Sequence, residues 1–275
     1  MIDFNSLTLK NNYIFNIVMH RPNLCKMCLE RILDKKIKDI SYPDYEKTID
    51  IDIDAKSIRL DIYCEDEDTM YNVELQNGEY DALPQRSRYY QSMMDVDELE
   101  KGREYSELRN SIVIFICTFD PHKKGRHLYT FENVCREDKG LKLGDGTTKI
   151  FLNTKGTMDD IPRPLQNFLE YIDKGTISDD FTDDLEKAVV ETRQSKKWRK
   201  RIMTLEEYAK ANAKEEAKKA REEGREEGRE KGKAEERERL NKLTQLLMAD
   251  NRGTDLLKAV EDSTFQDELL KEYNI

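Results

Sequence analysis

Two acidic residues and one amide side chain are the part of this sequence best suited to chemistry. Asp61 lies in the segment SIRLDIYC, and Glu74 and Gln76 lie in the segment MYNVELQ. Both segments alternate apolar and polar residues, which is typical of β-strands, and the polar residues EDEDT between them predict a turn. If this turn is centred between Glu67 and Asp68, an antiparallel hairpin places Asp61 directly opposite Glu74.

This arrangement predicts a divalent-metal site. Directly opposite residues of a hairpin have Cβ atoms about 4.5–5.5 Å apart, so two ionised carboxylates there repel each other and require a cation. Mg²⁺ accepts such oxygen ligands and fills its other positions with water and phosphate oxygens. Gln76 shares the face of Glu74 and can orient a water or donate to a phosphate oxygen. The same register places Arg59 opposite Gln76, where it adds positive charge.

A second interpretation of the hairpin needs no metal. Alternation is also the pattern of a sheet with one apolar face and one solvated face, in which Asp61 pairs with Arg59 or with a helix. A register shift of one residue would also separate Asp61 from Glu74. The residues alone leave both interpretations open.

Helical and strand periodicities around the hairpin predict the elements that must position it. Tyr13, Ile17 and Val18 recur at helical spacing, and Pro22 is suited to the first turn of a second helix. A continuous apolar run, IVIFICTF, predicts a central strand covered on both faces. The further elements predicted are helices over 84–99, 164–173 and 180–193 and weaker strands over 127–134 and 148–153. The expected fold class is α/β, a mixed central sheet flanked by helices.

The C-terminal part has a different composition. Residues 210–239 contain almost no large apolar residue and carry the repeat REEG-REEG-REKG, with Gly224, Gly228 and Gly232. Each glycine weakens a helix by about 1 kcal/mol relative to alanine. The segment is interpreted as a solvated helix or tether, with pairing to a second copy of the chain as the alternative. The predicted organisation is a core over 1–175, a helical basic connection over 176–204 and a charged helical tail over 205–275.

Composition excludes several classes of protein. Hydrophobic residues make up 37% and charged residues 38% of the 275 residues, and no run approaches the ~18–20 apolar residues of a membrane span. The five cysteines are scattered, as in a cytoplasmic protein without a disulfide framework. Cys25 and Cys28 form a C-x-x-C pair without a second pair or a nearby histidine, which favours buried packing over zinc.

Net charge alone does not identify the partner. The chain carries a net charge of −10, which argues against binding a polyanion. The run RQSKKWRKR is nevertheless basic almost throughout, and its Lys197 and Arg199 are suited to phosphate contacts, with Trp198 stacking on a base. A solvated helix face explains the same run equally well.

Several ordered blocks of the sequence resemble a known family. RLDIYCEDEDTMYNVELQ is similar to the core of the PD-(D/E)XK nuclease superfamily in its E-x-Q form. More narrowly, the chain resembles the Rpn group of recombination-promoting nucleases, also described as transposases. LKNNYIFNIVM resembles the N-terminal helix of that group, and RSRYYQSMMDVDELEKGREY resembles its Arg/Tyr-Tyr helix. The later blocks IVIFICTFDPHKKGRHLYTFEN and LGDGTTKIFLNTKGTMDD extend the resemblance, which runs from about Leu9 to Asp173.

The resemblance implies roles for individual residues. It implies that Asp61 and Glu74 bind the metal and that Gln76 stands where the wider superfamily has lysine. The helix that carries Arg86, Tyr89 and Tyr90 would border the cleft, although adjacent tyrosines on a helix also suit a core position for one of them. Asn12 stands where the family often has an acidic residue.

The implied function is Mg²⁺-dependent or Mn²⁺-dependent cleavage of DNA, connected with recombination or mobile elements. Arg59 or Arg86 would stabilise the negative charge that develops on the phosphate. The alternative is a nuclease-like module that binds DNA or a protein without cutting, which Asn12, Gln76 and the acidic net charge favour. A third hypothesis is a scaffold assembled from several copies through the REEG helix.

Overall fold

The computed structural model of the 275-residue protein describes residues 3–42, 48–49, 58–78, 82–99 and 102–275. For 48–49, 58–59 and parts of 205–223 it describes the backbone alone. The chain forms two compact units, Met1–Met203 and Thr204–Ile275.

The first unit contains most of the secondary structure. Short 3₁₀ helices lie at Phe4–Ser6 and Tyr105–Glu107. The helices are α1 (Asn12–Met19), α2 (Pro22–Leu33), α3 (Leu83–Glu98), α4 (Arg163–Lys174), α5 (Asp180–Gln194) and the beginning of α6 (Lys196–Ala249). The strands are β1 (Thr48–Ile49), β2 (Ile58–Arg59), β3 (Ile62–Glu65), β4 (Thr69–Gln76), β5 (Asn110–Cys117), β6 (Leu128–Phe131) and β7 (Thr147–Asn153). The fold is therefore α/β, as the sequence predicts.

A mixed sheet of five described strands forms the centre of this unit. Its order is β3-β4-β5-β7-β6, and β1 and β2 form a separate small ladder. Strands β4, β5 and β7 are parallel, while β3 and β6 are antiparallel to their neighbours. Gln76 is the register partner of Cys117, and Cys117 is the partner of Asn153. The carboxyl ends of the three parallel strands therefore lie at one edge of the sheet.

The β3–β4 hairpin has the register that its turn predicts. Ile62 pairs with Val73 and Tyr63 pairs with Asn72, so Asp61, directly before β3, lies opposite Glu74. The prediction that Arg59 faces Gln76 is wrong, because Arg59 pairs with Thr48 in the separate β1–β2 ladder. The ladder between the two hairpin segments ends before it reaches Arg59.

The second interpretation of this hairpin, in which its polar face is solvated, is wrong. Strand β4 is buried along both faces, and only Gln76 at its end is partly exposed. One face packs with α1, α2, α4 and α5 in the larger apolar cluster, to which β4 contributes Tyr71, Val73 and Leu75. The opposite face packs against Leu83, Met93 and Met94 of α3. Glu74 therefore lies between the sheet and a helix, away from bulk water.

Local signals explain where several helices begin. The Asn11 side chain accepts hydrogen bonds from the backbone N–H groups of Tyr13 and Ile14 and so caps α1. Pro22 opens α2, where its missing N–H costs no helical hydrogen bond. Asp179 caps α5 in the same way as Asn11 caps α1.

The segment predicted as a connection contributes to the first unit. Phe181, Leu185 and Val189 of α5 are fully buried in the larger apolar cluster, together with Ile202 of α6. The compact unit therefore extends to Met203. The exact domain boundaries given in the sequence analysis stay a prediction.

The second unit consists of the remainder of α6 together with α7 (Gly253–Glu261) and α8 (Ser263–Glu272). Leu243, Leu247, Leu269 and Leu270 form a small apolar cluster among these helices. The residues of α6 from Gly224 to Arg239 are all exposed. None of the helices in the described part of the chain is both long and apolar enough to cross a membrane.

Candidate active site

The Glu74 carboxylate is the centre of the candidate site. Its side chain is 1% exposed, although it is an acid. Its Oε1 accepts a hydrogen bond from the backbone N–H of Asp61 at 3.1 Å, and its Oε2 accepts one from Nη2 of Arg86 at 2.9 Å. Both carboxylate oxygens are thus hydrogen-bonded, as a buried ionised acid requires.

Arg86 connects the side chains of this cluster. It projects from the first turn of α3, and its Nη1 donates to Oε1 of Gln76 at 3.2 Å. Its Nε donates to the Tyr90 hydroxyl at 2.6 Å, and its guanidinium lies 4.9 Å from the centre of the Tyr90 ring. Arg86 and Tyr90 are four residues apart and therefore share one face of α3. One guanidinium thus holds Glu74, Gln76 and Tyr90 in fixed positions.

The burial of these groups changes their proton affinities. Burial, together with the nearby charge of Asp61, raises the pKa of Glu74 to about 8. Burial opposes the charge of Arg86, but the Glu74 carboxylate outweighs this effect and raises the pKa of Arg86. Burial and the charge of Glu74 raise the pKa of Tyr90 to about 12, so its hydroxyl keeps its proton at neutral pH. The cluster is a place where added positive charge is favourable.

A cleft of about 480 Å³ opens beside Asp61. The residues lining it are Lys10, Asn11, Asn12, Tyr13, Asn16, Asp61 and Asn77. Nδ2 of Asn16 donates to the backbone oxygen of Asp61 at 2.6 Å and fixes the chain there. Asn77, directly after β4, donates to Oδ1 of Asn12 at 2.8 Å. Strand β4 therefore ends at the cleft that α1 borders.

The structure brings most of the predicted site residues together. Asp61, Glu74, Gln76, Arg86 and Tyr90 belong to one connected cluster, and Asn12 lies in the wall of the neighbouring cleft. The side chain of Arg59 lies outside the described residues.

The other predicted residues with described side chains lie on α3 and at the beginning of α6. Tyr89 is 37% exposed, whereas Tyr90 is buried, so the two adjacent tyrosines have different environments. Lys197, Trp198 and Arg199 lie in the first turn of α6. Trp198 packs against the larger apolar cluster, with Nζ of Lys197 5.1 Å from its ring, and the Arg199 guanidinium lies 5.3 Å from the Phe4 ring. Their role in DNA binding stays a prediction.

Sequence reasoning missed three residues at the cleft. Asn16 lies one helical turn after Asn12, and this i, i+4 spacing was the available signal. Asn77 directly follows the E-x-Q segment. The contact of Lys10 with Asp173 joins residues 163 positions apart, with Nζ 3.0 Å from Oδ1, and no local pattern predicts it.

The donor set fits a Mg²⁺ ion. Among the described residues, no group of three or more His, Cys, Asp and Glu side chains is placed to hold a metal. Mg²⁺ does not require three such side chains, because one or two carboxylates with water and substrate phosphates complete its octahedral shell. Asp61, Glu74 and the Gln76 amide supply such oxygens. Asn72, on the same face of β4, adds a fully buried amide beside Glu74.

The cysteine pair lies away from this site. Cys25 and Cys28 are both buried in α2, and Sγ of Cys25 lies 3.9 Å from Sγ of Cys64 in β3. This contact joins α2 to the hairpin across the larger apolar cluster.

Comparison with known proteins identifies the family. The model of the PD-(D/E)XK nuclease family transposases matches residues 21–245, which span most of the first unit and much of α6. Neither a curated protein nor a solved structure matches the chain significantly. The family match, the α/β sheet and the paired Asp61 and Glu74 agree with the resemblance found in the sequence. The chain belongs to the PD-(D/E)XK nuclease family transposases.

Proposed function

We propose that this protein is a Mg²⁺-dependent DNA endonuclease whose site consists of Asp61, Glu74 and Gln76. The observation that carries the proposal is the pairing of Asp61 with Glu74 at the end of the β3–β4 ladder, where the Glu74 carboxylate is buried. Two acids at one buried position repel each other unless a cation is present. The family membership supports a nuclease rather than another metal enzyme.

The side chains of the site would position the metal, the water and the phosphate, and would supply positive charge beside them. Asp61 and Glu74 would hold the metal, with Mn²⁺ able to replace Mg²⁺, and the Gln76 amide would orient a water or a phosphate oxygen. When bound, the metal supplies Lewis-acid polarisation of the phosphate and activation of water. Arg86 holds Glu74 and Gln76 in place and provides positive charge near the scissile phosphate.

The finer biological assignment rests on the sequence blocks that resemble the Rpn group. The E-x-Q form of the motif and the Arg/Tyr-Tyr helix support it, and the structure joins Arg86 and Tyr90 of that helix to Glu74 and Gln76. On this basis we propose a role in DNA recombination or mobile-element activity, and the scattered free cysteines support a cytoplasmic location.

A second candidate function is DNA or protein binding without cleavage. The observation that favours it is that Arg86 already neutralises Glu74 at 2.9 Å. A cluster satisfied by an internal cation has less need of a metal. Asn12 in the cleft wall also provides an amide where the family often has an acid.

Cleavage of supercoiled plasmid tests the proposal. We expect nicking or linearisation with Mg²⁺ and none with EDTA. Because a catalytic metal contributes several kcal/mol, Asp61→Ala should reduce the rate by about a thousandfold or more. Asp68→Ala is the matched control, since Asp68 is an exposed acid in the turn of the same hairpin.

Two results would contradict the proposal. The first is cleavage by Asp61→Ala at the rate of the unchanged protein. The second is no cleavage together with a melting temperature that Mg²⁺ does not change, which would favour the binding module.

A further inference from the structure

The loop between β5 and β6 crosses the edge of the sheet that carries the candidate site. It starts after Cys117, the neighbour of Gln76, and ends at Leu128, opposite Leu152 near the end of β7. It therefore passes the carboxyl end of β7, which lies between β5 and β6 in the sheet. Adjacent strands are about 4.8 Å apart, so Gln76 lies on the order of 10 Å from the end of β7.

An internal carboxylate fixes the shape of this loop. Asp120 accepts hydrogen bonds from the backbone N–H groups of His122, Lys123 and Gly125 at 3.1, 2.9 and 2.7 Å. It also accepts one from the Tyr129 hydroxyl at 2.9 Å. The backbone of the loop is thus organised around one partly buried acceptor before any ligand arrives.

A second contact joins the loop to its neighbour. The backbone oxygen of Gly125 accepts a hydrogen bond from the N–H of Thr157 at 2.8 Å, and Thr157 belongs to the loop that follows β7. Lys123 and Gly125 both have positive φ angles, 55° and 75°, which produce the tight bend between them. The two loops therefore form one continuous surface at this edge.

Some charged side chains of this surface form salt bridges within the protein, and others do not. Asp160 pairs with Arg126 and His127, with distances of 3.5 and 2.9 Å. Asp173 pairs with Lys10 and Lys155 at 3.0 and 2.6 Å.

Two lysines of the loop differ from Lys10, Lys155 and Arg126 in their salt bridges. Lys123 and Lys124 are exposed and form no salt bridge with any residue in the described ranges. Asp159 is an exposed acid of the neighbouring loop, but it forms no salt bridge with them. The ammonium groups of Lys123 and Lys124 are thus available to an external anion.

We propose that Lys123 and Lys124 bind the phosphate backbone of duplex DNA and hold it across the same edge of the sheet at which β4 ends with Gln76. Lysine binds phosphate as a point charge without reading sequence, which suits a surface that positions a duplex. The proposal takes its substrate class from the proposed function, but it requires neither a metal nor cleavage.

Fluorescence anisotropy with a labelled DNA duplex in EDTA tests this binding. The variant Lys123→Gln/Lys124→Gln removes both charges and keeps most of the side-chain length. The matched control is Arg136→Gln/Lys139→Gln, which removes two exposed charges from the loop between β6 and β7 at the opposite edge of the sheet. Both variants should keep the melting temperature of the unchanged protein.

The expected result is specific to the first loop. Each lost phosphate contact lowers the slope of log K against log salt by about 0.9, so the slope should fall by about two and the affinity at 0.1 M salt by at least about tenfold. The control variant should keep the salt slope and the affinity of the unchanged protein. Lys123→Arg/Lys124→Arg should also keep the slope and the affinity, because it retains both charges.

Three results would overturn the proposal: no duplex binding by the unchanged protein, unchanged binding by Lys123→Gln/Lys124→Gln, or an equal loss in the control. Selective loss of binding by Lys123→Gln/Lys124→Gln, in a protein that never cleaves plasmid and whose melting temperature Mg²⁺ does not change, would refute the proposed function and leave this binding surface established. Plasmid cleavage together with equal DNA binding by all variants would support the proposed function and refute the proposed role of Lys123 and Lys124.

Discussion

Two regions of this molecule combine arginine with glutamate, one between a sheet and a helix and the other on an exposed helix. In the first unit, Glu74 is 1% exposed and the Arg86 side chain is 30% exposed, with 2.9 Å between Oε2 and Nη2. In α6, the residues from Gly224 to Arg239 repeat the same residue types on a helix that is exposed on every side. The difference is the presence of a sheet and a helix that exclude water.

This contrast explains which charges are suited to chemistry. Water screens exposed ion pairs, so they contribute little to stability and shift proton affinities little. In the buried cluster, the pKa of Glu74 rises to about 8 because burial and Asp61 both disfavour its ionised form. The same side chains therefore form a buried cluster with shifted proton affinities in one region and a solvated helix in the other.

The largest expected difference concerns matched arginine substitutions. Arg86→Met leaves the buried Glu74 carboxylate without its cation, so we expect a loss of about 3–5 kcal/mol at pH 9, and less at pH 6, where Glu74 takes up a proton. Arg225→Met on exposed α6 should change stability by less than about 0.5 kcal/mol. Urea unfolding followed by Trp198 fluorescence measures the first unit, and circular dichroism measures α6. A loss at Arg86 that is the same at both pH values would contradict the buried-pair interpretation.

The pH dependence of stability gives the next largest effect. The folded protein raises the pKa of Glu74 from 4.5 to about 8, so the folded state binds more protons than the unfolded state in this window. Stability from this group is present below about pH 4.5 and is lost as the pH rises through 8.

Substitution by glutamine isolates this contribution. As the pH rises from 5 to 8, Glu74→Gln should therefore gain stability relative to the unchanged protein by about 3 kcal/mol. Denaturation at several pH values measures this difference. Glu226→Gln, on α6, is the control and should show no such trend. Parallel curves for Glu74→Gln and the unchanged protein would argue against a buried ionisable Glu74.

Alanine substitutions at two glycines should change stability in opposite directions. A Cβ at Gly156 would collide with the ring of His127, so Gly156→Ala should destabilise the first unit by about 1–3 kcal/mol. Gly228 has no atom near its added Cβ, and Gly228→Ala should stabilise α6 by about 1 kcal/mol. Thermal melts that separate the two units measure both. A destabilising effect at Gly228 would instead indicate that a second helix packs there.

The smallest effect is expected from removing the tail. A chain ending at Met203 keeps the buried Ile202 and every residue of the candidate site. Its plasmid cleavage and its Trp198 unfolding midpoint should equal those of the full chain. A large loss of cleavage would favour the scaffold assembled through the REEG helix.

Local patterns predicted the hairpin correctly because its determinants are close in sequence. The period of two in SIRLDIYC and MYNVELQ and the short polar turn between them fix which residues face each other. The opposition of Asp61 and Glu74 follows from these features alone. The start of α2 was predicted for the same reason, since Pro22 acts on its own helix.

Other features depend on which surfaces meet. The alternation of β4 predicted a solvated face, but α3 covers that face with Leu83, Met93 and Met94. Arg59 was predicted to face Gln76, but the ladder stops at Ile62 and Arg59 pairs with Thr48. The alternation of residues within one strand predicts neither the helix that covers it nor the strand with which it pairs.

The α/β fold, the family and the facing acids of the hairpin follow from the amino-acid sequence, because these depend on residue types at short and regular spacing. The burial of Glu74, its connection through Arg86 to Gln76 and Tyr90, and the hydrogen bond from Asn16 to the backbone of Asp61 follow only from the packing of distant elements. These contacts join α1, the hairpin and α3, and they form only when the apolar faces of those elements pack against one sheet.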